Sequence, residues 1–114
     1  MSESKLKYAD ELANRMAERI KENAEVMDGW GKAFQVIFTD ANVGYWYKMA
    51  MDGTLEKFEK AIKKEEAVVT LSWTTDTFGG ILDKTLSPMA AMLNGMIRIE
   101  GPTTELLKLQ VLFG

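Results

Sequence analysis

A chain of 114 residues, 46% apolar and 27% charged, has enough apolar side chain for one compact domain and lies outside the disordered and fibrous ranges. It contains neither histidine nor cysteine; this removes thiol nucleophiles, serine-histidine triads, disulfides, iron-sulfur clusters and most zinc or copper sites, so no enzyme, metal or cofactor is expected. A net charge of −3 and a pI near 5.0 disfavour a nucleic-acid surface. No apolar run reaches the roughly 20 residues that cross a bilayer and the N-terminus lacks a signal-peptide core, so a cytoplasmic protein is expected.

From Lys5 to Met27, Leu6, Leu12, Met16 and Ile20 recur at helical spacing with Ala9, Ala13, Ala17 and Ala24 among charged residues, which predicts an amphipathic helix. "DGWG", Asp28 to Gly31, ends it. In "AFQVIFTD", Phe34, Val36 and Phe38 share a strand face, and "ANVG" is a turn before "YWYKMAM". There Tyr45, Tyr47, Met49 and Met51 point to one side and Trp46, Lys48 and Ala50 to the other. Neither side is cleanly polar, so both are expected to be covered, one of them by a partner.

Asp52-Gly53 suits a two-residue hairpin turn, which predicts a strand from Thr54 although "TLEKFEKAIKKEE" also carries helical spacing. In "KFEKAIKK" the lysines are interleaved with and followed by Glu59, Glu65 and Glu66, the pattern of a solvated mixed-charge face. "AVVTLSWT" alternates as a half-buried strand with Ala67, Val69, Leu71 and Trp73 on one face. A short helix follows in "TDTFGGILDKTL", with Phe78, Ile81 and Leu82 on one side. Ser87-Pro88 caps a second short helix that stops at Asn94-Gly95. Ile97 and Ile99 then share a strand face, and Gly101-Pro102 opens a last helix that is apolar around most of its circumference. This order predicts one α+β domain over residues 1–114, with helices layered on a mostly antiparallel sheet.

"DGWGKAFQVIFTDANVGYWYKMAMDGTLE", "AVVTLSWTTDTFGGIL", "LSPMAAMLNGMIRIEG" and "LLKLQVLF" together resemble the sterol carrier protein type two family. The resemblance rests on a strand ending at Asp40, alternation from Val69 to Trp73, an aromatic at Phe78, and the run Pro88, Met92, Gly95, Ile97, Gly101. It implies a five-stranded sheet under helices, with an apolar tunnel that binds a fatty acid, fatty acyl-CoA, sterol or phospholipid and performs no chemistry. The family occurs both as free-standing domains and fused to enzymes. The chain stops at Phe113-Gly114 without a peroxisomal address. The resemblance does not extend to the C-terminal extension that helps close the tunnel in longer members, so a tunnel open to solvent or closed by a second copy is expected.

The apolar wall expected for such a tunnel comprises Phe78, Ile81, Leu82, Met89, Met92, Leu93, Met96, Leu106 and Leu109. Periodicity alone would assign the same side chains to an ordinary core. Gly79 and Gly80 weaken the helix that holds Phe78; they fit either a close helix-to-sheet contact or a fraying lid. The competing reading is a homo-oligomerisation or accessory module without a lipid ligand, using Tyr45, Trp46 and Tyr47 as an exposed aromatic contact. An enzyme based on Asp76, Asp83 or Glu100 has no supporting spacing.

Overall fold

The computed structural model describes residues 3–113. A long helix α1 (Glu3–Glu22) precedes strands β1 (Ala33–Phe38), β2 (Val43–Met49), β3 (Leu55–Glu59) and β4 (Val69–Trp73). Helices α2 (Thr75–Leu82) and α3 (Pro88–Leu93), strand β5 (Arg98–Glu100) and helix α4 (Thr103–Leu109) complete the order. The sheet runs β3-β2-β1-β4-β5, with β1 and β4 parallel and the other neighbours antiparallel. This is the expected α+β architecture, a mostly antiparallel five-stranded sheet under helices.

The apolar stripe of α1 decides which face it buries: Ala9, Leu12, Ala13, Met16, Ala17 and Ile20 all lie inside. The helix stops earlier than its periodicity predicts, at Glu22, because Asn23 bonds back to the Arg19 carbonyl (2.7 Å) and the chain tightens into a 3-10 turn over Ala24–Met27. Across from α1, Phe34 stacks on Tyr47 and Tyr47 on Phe58, with centroids 4.8 and 4.9 Å apart. The Tyr47 hydroxyl donates to the Ala13 carbonyl at 2.8 Å, which ties β2 to α1. Burial pushes the Tyr47 phenol well above its ordinary pKa, so it stays a neutral donor.

The aromatic run is not an exposed contact. Tyr45 and Tyr47 are buried under α1, and Trp46, on the opposite sheet face, is only 3% exposed. The connector after β3 covers it: the Trp46 indole donates to the Glu66 carbonyl (3.0 Å), and Lys63 Nζ lies 3.9 Å from its ring centroid. Both sheet faces are therefore covered, as their mixed character implies, but the second cover comes from this chain. The lysines of the connector pair as a mixed-charge surface, Lys60 with Asp10 (3.0 Å), Lys63 with Glu59 (3.4 Å) and Lys64 with Glu100 (3.2 Å).

Thr54 opens the way to a strand, β3, but the turn is longer than two residues. Ala50 donates to the Thr54 carbonyl (2.8 Å), Asp52 Oδ1 accepts from the Thr54 amide (3.0 Å), and Gly53 adopts φ +90°. Asp52 thus makes a side-chain turn of its own inside a wider loop.

Candidate functional site

The helices α2, α3 and α4 close over the β4–β5 end of the sheet, and side-chain caps position α2 and α3. Thr74 Oγ1 accepts from the Thr77 amide (3.2 Å) at the start of α2. Asp40, at the end of β1, accepts from the Thr75 amide (2.9 Å) and hydroxyl (2.7 Å) and pairs with Lys5 (3.2 Å). Burial alone would raise the Asp40 carboxyl; the Thr75 bonds and the Lys5 ammonium outweigh it and hold the group below its ordinary value. Ser87 caps α3 through the Ala90 amide (3.3 Å), with Pro88 in the first turn. Register places Ile99 opposite Leu71 on the helix side of the sheet.

Between these elements lies an apolar pocket of about 20 Å³, little more than the room one water requires. Leu71 and Trp73 of β4 and Ile97 and Ile99 form its sheet wall; Ile81, Pro88, Met92, Leu106 and Phe113 form its helix wall. Gln110 brings the one side-chain amide to the lining.

Of the nine residues expected from the sequence, Ile81, Met92 and Leu106 line this pocket. Phe78, Leu82 and Leu109 belong to the buried core behind it, Phe78 stacked on Trp73 at 4.5 Å. Met89 and Leu93 project to solvent, 65% and 82% exposed, because a helix as short as α3 can turn only one face inward, the one carrying Ala91 and Met92. Met96 borders an adjoining groove instead. Periodicity within the helices missed the sheet wall, although the alternation of Leu71 with Trp73 and the shared face of Ile97 and Ile99 carried the signal.

The adjoining groove has a volume of about 470 Å³. Thr39, Ser72, Thr74, Thr77, Gly95 and Arg98 line it with Met96, and Trp73 is a wall of both groove and pocket. The Trp73 indole nitrogen is the only buried side-chain nitrogen or oxygen among the described residues without a hydrogen-bond partner.

The carboxylates Asp76, Asp83 and Glu100 do not gather into a catalytic group. Asp76 is exposed, Asp83 pairs with Arg15 (2.6 Å) and Glu100 with Lys64 (3.2 Å). Among the described residues no group of three His, Cys, Asp or Glu side chains is placed to hold a metal ion, and no helix is long and apolar enough to cross a membrane.

The profile of the SCP-2 sterol transfer family matches residues 13–114. No curated protein sequence matches the chain. Among solved structures it is similar to the stereoselective inverting sec-alkylsulfatase Pisa1 from Pseudomonas sp., at 21% identity and TM-score 0.71, over 87% of this chain and 14% of that one. A crystal structure of sterol carrier protein 2 shares 17% identity at TM-score 0.63, over 90% of both chains. Palmitated SCP2L2 from Aedes aegypti shares 22% at TM-score 0.61, over 89% of this chain and 94% of that one. At these identities the common property is the fold, and the chain spans only 14% of the sulfatase's length. A profile match over almost the whole sequence, on a sheet of the predicted architecture, settles the family: the chain belongs to the SCP-2 sterol transfer family.

Proposed function

We propose that the chain is a non-catalytic module that binds, and passes on, a hydrophobic ligand between α2, α3, α4 and the β4–β5 end of the sheet. The observation that carries this reading is the pocket lining, apolar except for Gln110 and the Trp73 indole nitrogen. At about 20 Å³ the pocket must open to admit a chain, and its walls are suited to that. α3 and α4 are six and seven residues long, β5 is three, and Met92 is flexible enough to refit around ligands of different shape. Burial of about ten methylenes at roughly 0.8 kcal/mol each gives about 8 kcal/mol before ordering and association costs, enough for micromolar affinity with weak selectivity. Fatty acids, fatty acyl-CoA esters, sterols and phospholipids all fall within that class, and a cytoplasmic setting is part of the same proposal.

Native mass spectrometry of protein freshly purified from its expression host, followed by organic extraction, tests it. A co-purified fatty acid or phospholipid is the expected result. A clean apo mass, together with no uptake of a fluorescent fatty acid, would overturn the proposal. The homo-oligomerisation reading has lost the surface that suggested it, since Tyr45, Trp46 and Tyr47 are buried within the single chain.

A further inference from the structure

We propose that Met92 reduces a hydroperoxide carried on the bound chain, so that the pocket takes in a lipid hydroperoxide and gives back the hydroxy lipid, with Gln110 positioning the reacting group. The inference rests on the lipid-binding reading above and adds to it a stoichiometric reaction, since each chain spends its own thioether.

All the sulfur of this chain is thioether, because it has methionines and no cysteine. Met16, Met27 and Met49 are sealed in the core, whereas Met51, Met89, Met92 and Met96 are exposed. Among the residues that line the apolar pocket, Met92 is the one thioether. Gln110 is the one side-chain amide there, and it makes no hydrogen bond among the described residues. With a volume of about 20 Å³, the pocket sets these two side chains in the walls of one small space.

A hydroperoxide on an acyl chain is a polar group on an apolar rod, and inside an apolar lining it costs least where it is hydrogen-bonded and close to water. Gln110 can donate to its oxygens and accept its O–H, and Met92, half exposed, marks the wet side of the lining. The polar group therefore settles beside the sulfur that can reduce it. A thioether gives two electrons to a peroxide. The Sδ lone pair attacks the terminal oxygen, an S–O bond forms as the O–O bond breaks, and the hydroperoxide proton passes to the departing alkoxide. Sulfur is oxidised to the sulfoxide and the peroxide is reduced to the alcohol, with no other reactant. The Gln110 amide donates to the oxygen on which charge develops. The sulfoxide leaves a polar oxygen in an apolar wall, which loosens the hold on any further chain.

The test treats the full chain with linoleic acid hydroperoxide, below its micelle threshold, and in parallel with hydrogen peroxide. Peptide mass spectrometry locates the added oxygen, chromatography measures the hydroxy acid, and displacement of a fluorescent fatty acid reports binding separately. With hydrogen peroxide, oxidation should follow exposure, with Met51 and Met89 at 66% and 65% ahead of Met92 at 38%. With the lipid hydroperoxide, Met92 is expected to react first, about tenfold ahead of Met51, because the pocket holds the oxidant beside it. Each Met92 sulfoxide should be matched by a molecule of hydroxy acid. Gln110→Leu should slow this reaction about fivefold, and Met92→Leu, which keeps the volume of the wall, should remove it. Met92 oxidised first at a rate that Gln110→Leu leaves unchanged overturns the positioning role of Gln110. Displacement of the fluorescent fatty acid by the hydroperoxide, with methionines oxidised in the order of their exposure, overturns the reaction while the lipid-binding reading stands. Failure of both the fluorescent fatty acid and the hydroperoxide to bind overturns both.

Discussion

Gly79 of α2 lies so close to Tyr8 of α1 that a Cβ at position 79 would stand 2.2 Å from the Tyr8 hydroxyl oxygen. The glycine pair therefore includes one close-approach glycine, and the contact is helix to helix, not helix to sheet. Gly79→Ala should destabilise the protein by about 1–3 kcal/mol, since a stiff ring has to move. Adding Tyr8→Phe removes the clashing oxygen and leaves Cζ as the nearest atom at 3.3 Å. Urea denaturation of the two single variants and the double variant should show more than half of the loss recovered. Gly80→Ala meets Leu86 Cβ at 3.1 Å and Thr85 Oγ1 at 3.4 Å, and its gain in helix propensity offsets that crowding, so a change within about 0.5 kcal/mol is expected. If Gly79→Ala were neutral in stability yet slowed fatty-acid uptake, a fraying lid would be the better account of this helix.

Gln35 is fully buried on the sheet face away from α1 and pins the connector that covers Trp46. Its side-chain nitrogen donates to the Ala61 (2.9 Å) and Tyr45 (3.1 Å) carbonyls, and its oxygen accepts from the Lys63 amide (2.6 Å). Gln35→Leu strands those backbone groups, and a loss of about 2–4 kcal/mol is expected from more than one unsatisfied polar group. Hydrogen exchange should accelerate over residues 60–66 well before β1, and Trp46 fluorescence should shift to the red. Unchanged exchange in that segment would mean that apolar packing of the connector, not Gln35, holds it in place.

These two contacts mark where the sequence was readable and where it was not. Strand alternation at Phe34, Val36 and Phe38, the Ser87-Pro88 cap, and the stripe of α1 each depend on neighbours in the chain, so every main element was legible. Gln35 looks like an ordinary outward polar position. Its role depends on a segment some 26 residues further on, and nothing local encodes that. The site was legible only in part for the same reason. Periodicity identifies which residues are apolar, and it picked out Ile81, Met92 and Leu106. It does not say which apolar residues face a gap and which fill the core, so Phe78 and Leu109 were grouped with them, and the wall from Leu71, Trp73, Ile97 and Ile99 was not.

Stability should fall on acidification through the carboxylate of Asp40. Its bonds from Thr75 and Lys5 leave it more acidic in the folded chain than its ordinary value of 3.8. The folded form therefore keeps its full contribution above pH 3.8 and loses it as the pH drops through the lowered folded value. Asp10 follows the same sign: burial would raise its pKa, but the bonds from Tyr45 and Lys60 outweigh it. Asp40→Asn should lower stability at pH 7 by about 1–2 kcal/mol, the range for a cap-like hydrogen bond to a charged group. Denaturation curves from pH 7 to pH 2 should show the gap between wild type and Asp40→Asn narrowing at the acid end. A gap that stayed constant would mean that Asp40 acts through geometry alone.

Leu106 and Met92 both stand in the helix wall of the pocket but differ in burial, 8% against 38% exposed, and that difference separates stability from ligand entry. Leu106→Ala removes a side chain anchored in the core and should cost about 2–4 kcal/mol, because the pocket cannot fully collapse around the loss. Met92→Ala removes a half-exposed, flexible side chain at the rim, and about 1 kcal/mol is expected. Ligand exchange should rank the other way. If Met92 closes the pocket to its resting volume of about 20 Å³, Met92→Ala should speed both uptake and release of a fluorescent fatty acid and leave affinity within a few fold. Leu106→Ala should instead raise the affinity for bulkier chains, since a bound ligand refills the space and recovers stability in proportion to its occupancy. Stopped-flow exchange together with thermal denaturation at several ligand concentrations measures both. Equal exchange rates in wild type and Met92→Ala would place the entrance elsewhere, at the edge between β5 and α4.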